Sequence, residues 1–375
     1  MILVVANVSY SMSPMAIRYS SLFESWHDEE NLVVYFDNLG NILSDWSHLK
    51  LSNSRSSHLS KVLDKLMKYI FIPDRFIAHL YRYKQAFTTK VDLNRFDFMV
   101  IGCVPFSLLL LAPWIKKMNP KLRIIADLSD PFSFSNSASK YVLRKFIANR
   151  IEKKCFPCFS KVVVLNEEIQ KKYQSKHPCL RDRFLTIEQG VDEKFINSIV
   201  NYKSRGDNES FTFLYAGAFY RHLRNPRYLY KAIGRLNGSC QLKVFGSGPR
   251  STRPKSIENI HYQRLITRDR LIEQTINSDA LVLMDNDFGY QVPGKTLEVL
   301  ACGKPVLFIY NNDSSPTLKY VKSASGVVWA RNNVEDIVSA AMKILEKFYS
   351  NPHFNYKEYT WESMRSKYLS LRGDS

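Results

Sequence analysis

Acidic residues are in short supply: 35 Asp and Glu face 53 Lys and Arg across 375 residues, leaving a net charge of +18. An excess of that size calls for an anionic counterpart, either nucleic acid or an anionic membrane surface. Long hydrophobic runs are missing as well. The longest, Pro105–Ile115, falls short of the roughly 20 residues that a spanning helix needs, and it reads as a buried helix. The opening Met-Ile-Leu-Val-Val-Ala-Asn has neither a basic n-region nor a cleavage site, so no signal peptide is expected. Cysteine is sparse. Cys103, Cys155, Cys158, Cys179, Cys240 and Cys302 sit mostly within apolar segments, which suits a reducing compartment better than a disulfide framework. Cys155 and Cys158 form a lone C-x-x-C pair with no second pair at zinc spacing, so no metal site is expected there. Internal repeats of short period and low-complexity segments are also lacking.

What is present is the composition of a soluble globular protein, 45% apolar and 23% charged, long enough for two domains with separate cores. The basic excess is uneven. One cluster spans Lys50 to Lys90, opposed only by Asp64 and Asp74. A second comprises Lys140, Arg144, Lys145, Arg150, Lys153 and Lys154, opposed by Glu152. Both fall on predicted helices of the N-terminal half.

The apolar pattern alternates between strand-length and helix-length segments. Strands are predicted at 2–6, 31–36, 97–101, 122–126, 161–165 and 184–188, with helices at 14–26, 59–70, 74–87, 105–117, 139–154 and after Asn166. The polar, aperiodic stretch 197–210 reads as a linker. Beyond it, strands are predicted at 211–216, 241–245, 259–262, 280–284, 305–309 and 327–329. Helices fall at 225–237, 267–276, 293–302, 314–323, 333–348 and from about Trp361. The fold class is therefore α/β with two doubly wound, Rossmann-like domains facing across a cleft. The expected division is 1–196, linker 197–210, 211–355, and a closing helix within 356–375. Ligands in such folds sit at the carboxyl ends of the strands.

The chemistry concentrates in 279–310. A buried strand is followed by a polar loop, then by a helix opened by Pro293 and closed by Gly303, then by a second buried strand. Amides of Gly294, Lys295 and Thr296 at the predicted helix entry, beside the lysine, make an anion site. Glu298 lies one turn on, on the face of Lys295. Two further strand-end loops converge on it. Gly217 to Pro226 brings Arg221 and Arg224, suited to bidentate phosphate binding. Gly246 and Gly248 permit close backbone approach, but the third glycine of a dinucleotide fingerprint is missing, which excludes NAD.

These segments together resemble the C-terminal domain of GT-B glycosyltransferases, similar to glycosyltransferase family 4 in its polysaccharide-biosynthesis branch. The matching pieces are Gln189-Gly-Val-Asp192, Leu214-Tyr-Ala-Gly217 with Arg224-Asn-Pro226, Val244-Phe-Gly246-Ser-Gly248-Pro249, and Pro293-Gly-Lys295-Thr-Leu-Glu298 running to Gly303-Lys-Pro305-Val. Tyr359-Thr-Trp361-Glu-Ser-Met is similar to the family's closing helix, which returns to the N-terminal domain. The resemblance is good over 185–370 and looser over 1–184.

It implies retaining transfer from a nucleotide diphospho-sugar to a lipid-linked or other saccharide acceptor, with no cofactor and no required metal. The setting it implies is bacterial surface-polysaccharide assembly, lipopolysaccharide or capsule, at the inner face of the cytoplasmic membrane. Glu298 would accept from the ribose hydroxyls, while Arg224 and Lys295 would hold the diphosphate with the amides of Gly294–Thr296. The chain departs from the family where an earlier glutamate is replaced by Tyr290, where the arginine after the first glycine is Ala218, and where a histidine near the donor gives way to Asp127-Leu-Ser-Asp130-Pro131. Asp127 or Asp130 would then touch the donor sugar or the acceptor hydroxyl, alongside Arg224 as the third catalytic candidate. Two other functions fit the same residues less well: a GT-B-type epimerase or phosphorylase, and a basic nucleic-acid-binding protein, against which stands the lack of any nucleic-acid motif.

Overall fold

The computed structural model describes residues 2–6, 14–23, 32–36, 48–51, 73–74, 77, 80–134, 142–201, 210–287, 289–346 and 352–372. Two compact units result: Met1–Glu188 with Met364–Ser375, and Gln189–Ser363.

The first unit is built on a seven-stranded sheet in the order β3-β2-β1-β4-β5-β6-β7. Its strands are β1 (Ile2–Ala6), β2 (Leu32–Phe36), β3 (His48–Leu51), β4 (Phe98–Gly102), β5 (Arg123–Leu128), β6 (Lys161–Val164) and β7 (Phe184–Thr186). All neighbours pair in parallel. A wholly parallel sheet is covered on both faces, so its central strands carry unbroken apolar runs; every residue of β4 is buried. The edge strand β3 was not expected. It is four residues long, too short for alternation to stand out. Pro105–Ile115 is not one helix but a 3-10 turn at Phe106–Leu110 leading into a helix at Leu111–Met118. The helical stretch expected at 59–70 lies outside the described residues, and that expected at 74–87 is described as a helix over Leu80–Thr89.

The second unit has a six-stranded parallel sheet, β10-β9-β8-β11-β12-β13. The strands are β8 (Phe211–Ala218), β9 (Cys240–Ser247), β10 (Ile260–Gln263), β11 (Ala280–Met284), β12 (Val306–Tyr310) and β13 (Val327–Arg331). Two cores form, and the period-2 geometry of a strand sorts residues between them. Phe213 and Tyr215 of β8, Ala280 and Val282 of β11, and Leu307 and Ile309 of β12 share one core. Leu214, Leu281, Leu283, Val306 and Phe308 point into the other. Chain order reverses between β8 and β11, which makes the end of that pair the topological switch point where such sheets bind ligands.

The expected linker 197–210 begins inside a helix, Glu193–Val200, whose Asp192 side chain caps it by accepting from the amides of Lys194 and Phe195. Its buried residues Phe195, Ile196 and Ile199 straddle the expected boundary, which hid the helical period. The units divide after Glu188 instead. At the other end, the helix Trp361–Ser370 starts in the second unit, and its residues from Met364 belong to the first. Gly190 is required where the second unit begins, because a Cβ there would stand 2.2 Å from the Trp361 ring. No helix of the described residues is long and apolar enough to cross a membrane.

Candidate functional site

In the second unit the loop after β8 and the loop after β11 are stitched together at the switch point. Tyr220 and Arg224 exchange backbone hydrogen bonds of 3.1 and 2.9 Å, and the Asp287 amide donates to the Leu223 carbonyl at 2.8 Å. Arg224 lies across this seam. Its Nη2 donates to Asn286 Oδ1 at 2.7 Å and its Nη1 to the Ala218 carbonyl at 3.4 Å. Its Nε is buried without a hydrogen-bond partner. A buried unsatisfied donor on a cation is costly, so this guanidinium has capacity for a further acceptor. Asn286 is held in turn by the Gln291 carbonyl, to which its Nδ2 donates at 2.9 Å. Arg221 is exposed on the same loop. Asp287 accepts from Asn311 at 2.6 Å, and burial pushes its carboxyl upward.

The glycines have different reasons to be there. A Cβ on Gly246 would lie 2.9 Å from the Gly217 carbonyl, so the ends of β8 and β9 approach closely only because this side chain is missing. A Cβ on Gly217 would meet the Tyr215 hydroxyl at 3.0 Å, whereas Gly294 faces open space.

The helix expected over 293–302 is shorter, Thr296–Ala301, with Lys295 at its N-cap. Pro293 does not open it. The Pro293 carbonyl accepts from the Thr296 amide at 2.9 Å, closing a turn first. Thr296 was expected to offer that amide to a phosphate; it is taken up by the turn, and the Thr296 side chain is itself buried. Lys295 and Glu298 do come together, lining a small cavity of about 30 Å³ with Phe195, Leu271, Thr275 and Cys302. Burial pulls the Lys295 ammonium below the usual lysine range, only partly opposed by the Glu298 charge. Arg224, Arg221 and Gly246 are not among the described residues lining that cavity.

Glu298 has a partner that the spacing of its own helix could not reveal. Arg268, the first residue of the helix Arg268–Ile276, grips it with two hydrogen bonds of 2.7 and 3.2 Å. Asp192 meets the same guanidinium at 3.4 Å, and the Phe195 ring lies 3.7 Å beneath it. Nothing local flags Arg268, because its two carboxylate partners are distant in sequence and only the fold joins them.

In the first unit, Asp127 is the penultimate residue of β5 and is wholly buried. Its Oδ2 accepts from Arg18 Nε at 3.0 Å and from the Tyr368 hydroxyl at 2.7 Å. Arg18, equally buried, also donates to the carbonyls of Glu188 and Ile187 at 2.8 and 3.2 Å. Asp127 and Arg18 together thereby link β5, the helix Pro14–Phe23, residues 187–188 after β7 and Tyr368 within the first unit. Asp130 stands three residues on, half-buried in the bend after β5. Its loop is pinned from below: the Phe132 amide donates to the Tyr173 hydroxyl at 2.8 Å, and the Ser133 amide to Glu152 at 2.9 Å. Glu152 also receives Tyr173, Lys176 and His177. Burial alone would raise its carboxyl; the His177 hydrogen bond and the Lys176 charge outweigh burial and hold it below the ordinary glutamate range.

Two parallel doubly wound units, with the C-terminal helix shared between them, define the GT-B fold, and solved structures with that fold match the chain end to end. The sucrose-phosphate synthase of Thermosynechococcus elongatus superposes with a TM-score of 0.67 at 14% identity, covering 100% of both chains. The UDP-forming α,α-trehalose-phosphate synthase of Burkholderia vietnamiensis gives 0.67 at 9% identity, covering 100% of this chain and 99% of that one. The apo form of the lipopolysaccharide outer core galactosyltransferase WaaB gives 0.63 at 13%, covering 98% of each. No family model matches the chain, and no curated protein does either.

Proposed function

We propose that this chain is a retaining glycosyltransferase. It would move a sugar from a nucleotide diphospho-sugar to a saccharide acceptor, lipid-linked in bacterial surface-polysaccharide assembly. The observation that carries the reading is the pairing of Lys295 and Glu298 on one cavity of a GT-B donor-type unit, with Arg224 and its unpartnered Nε at the switch point of the same sheet. In this reading Glu298 accepts from the ribose hydroxyls, and Arg224 and Lys295 bind the diphosphate, with the Gly294 and Lys295 amides beside them. Negative charge develops on the diphosphate as the glycosidic bond breaks. Cations already fixed in place stabilise it without reorganising, so no divalent metal is needed for that task. Of the two aspartates, Asp130 is the accessible one and is assigned to the acceptor hydroxyl, while Asp127 holds the loop in place.

Support for a membrane setting comes from the helix Val142–Cys155. Val142, Leu143 and Phe146 are exposed to 88%, 64% and 51%, among Arg144, Lys145, Lys153 and Lys154. An apolar strip framed by cations suits an anionic lipid surface at the inner face of the cytoplasmic membrane. The structural neighbours include a sucrose-phosphate synthase and a lipopolysaccharide outer core galactosyltransferase, which agrees with this substrate class. The experiment is a donor screen for acceptor-dependent release of nucleoside diphosphate. Release that needs an acceptor is expected; turnover without one would favour an epimerase, and a salt-sensitive gel shift with no turnover would favour nucleic-acid binding.

A further inference from the structure

Arg268 makes contacts that an ordinary surface ion pair lacks. Its guanidinium is one-third exposed and its principal partner Glu298 only 14%. It faces Glu298 in a two-pronged fork, rests its plane on Phe195, and touches Asp192 on its flank. Asp192 is fixed independently, since its other oxygen caps the helix Glu193–Val200 at 3.1 and 3.3 Å. Three side chains from two separate segments therefore determine one carboxylate's position.

Acceptor capacity decides what that position can do. A carboxylate has about four acceptor sites, and the fork takes one on each oxygen. About two remain, enough for the two hydroxyls of a vicinal diol. The competing cation is Lys295, three residues earlier, which lines the same small cavity as Glu298. Without Arg268 the carboxylate would be drawn to that lysine, and each would occupy the other.

We infer that Arg268 is a positioning residue for the donor nucleoside: it holds Glu298 away from Lys295, leaving the carboxylate to read the ribose diol and the lysine to meet the phosphates. The inference rests on the donor-site reading above and adds a residue that neither touches the sugar nor belongs to the helix carrying Glu298. Arg rather than Lys is needed, because a planar fork fixes both oxygens at once whereas an ammonium is a point charge.

The test is calorimetric titration of the full chain with UDP, GDP and ADP and with the 2′-deoxy form of each. The wild type should bind at least one diphosphate and prefer its ribose form about tenfold, the loss expected when a hydrogen bond to a charged group is removed. Arg268→Gln should bring that preference down to about threefold or less, with Arg268→Lys in between. A destabilised but correctly wired site would weaken ribose and deoxyribose forms equally, so the ratio isolates positioning from packing. If Arg268→Gln does not fold, Asp192→Asn keeps both the helix cap and the fork while loosening the flank, and should lower the ratio by a smaller step. A wild type that binds none of the three diphosphates overturns the donor reading itself. A wild type that discriminates, with the ratio unchanged in Arg268→Gln, or unchanged in both Arg268→Lys and Asp192→Asn, overturns the role of Arg268 alone.

Discussion

Arg18 in the first unit and Arg268 in the second are each held among partners from distant segments, and the two clusters teach opposite lessons. In the first unit Arg18 and Asp127 are both fully buried, and Asp127 Oδ2 receives two donors while Arg18 reaches two carbonyls besides. Such a pair is closed. In the second unit Arg268, Glu298 and Asp192 are exposed to 33%, 14% and 37%, and Glu298 keeps acceptor capacity. Charge pairing is common to both, so it does not mark a site; residual hydrogen-bonding capacity with an opening to solvent does.

The sharpest break of that comparison is Arg18→Leu. Removing one member of a buried pair leaves the other desolvated and uncompensated, at a cost of about 3–5 kcal/mol. Denaturant unfolding should show that loss and should show it equally in low and high salt. A variant as stable as wild type would mean that water reaches Asp127.

Glu298→Ala and Arg224→Ala should behave in the opposite way. Each removes charge-assisted hydrogen bonds to a ligand, together about 1.5–3 kcal/mol of binding per residue, so kcat/KM for donor should fall on the order of 10- to 100-fold. The unfolding midpoint should move little, because neither residue is fully buried. Steady-state kinetics beside a thermal melt checks both halves of the claim. Turnover unaffected in both variants would remove the donor site from this cavity and from the switch-point loop of Arg224.

That contrast also marks how far the residues could be read from the chain alone. The apolar runs of β4, β8, β11 and β12 announce a parallel sheet because burial on both faces leaves no polar alternation to confuse them. Lys295 and Glu298 were legible because helical spacing brings residues three apart together. Arg268 and Asn286 were not, since each meets a partner on another element, 30 and 62 positions from Glu298 and Arg224 respectively. Asp127 and Asp130 looked equivalent in a five-residue loop. The strand end buries the first, and the bend leaves the second half-exposed, a difference that depends on Arg18 and Tyr368 at the two ends of the chain.

Glu152 lies between the two extremes: a buried carboxylate with a positioning task, bracing the loop of Asp130 through the Ser133 amide. Its folded-state value lies below the ordinary one, so the unfolded chain takes up a proton more readily than the folded chain. The stabilisation is present in full above about pH 4.3, the usual glutamate value, and is lost as pH falls through the lower folded value. Glu152→Gln should cost about 1–3 kcal/mol at neutral pH and should flatten the acid limb of stability against pH. Urea midpoints from pH 3 to 7 would test it, and an acid limb of wild-type steepness would place the sensitivity on another carboxylate.

The mildest probe is Asp192→Asn. The Asp192–Arg268 contact is long at 3.4 Å and about one-third exposed on both sides, and exposed pairs of this kind contribute about 0–1 kcal/mol. Asparagine caps a helix about as well as aspartate, so the cap survives. Stability should therefore fall by less than about 1 kcal/mol, and the difference from wild type should shrink as salt rises, because ions screen a solvated pair and not a buried one. Setting that salt response beside the flat one expected for Arg18→Leu measures how open the second arginine cluster is. An Asp192→Asn penalty that is large and salt-independent would mean that the Arg268–Glu298 pair is as closed as Arg18–Asp127, and Glu298 would then have nothing left to offer a ribose.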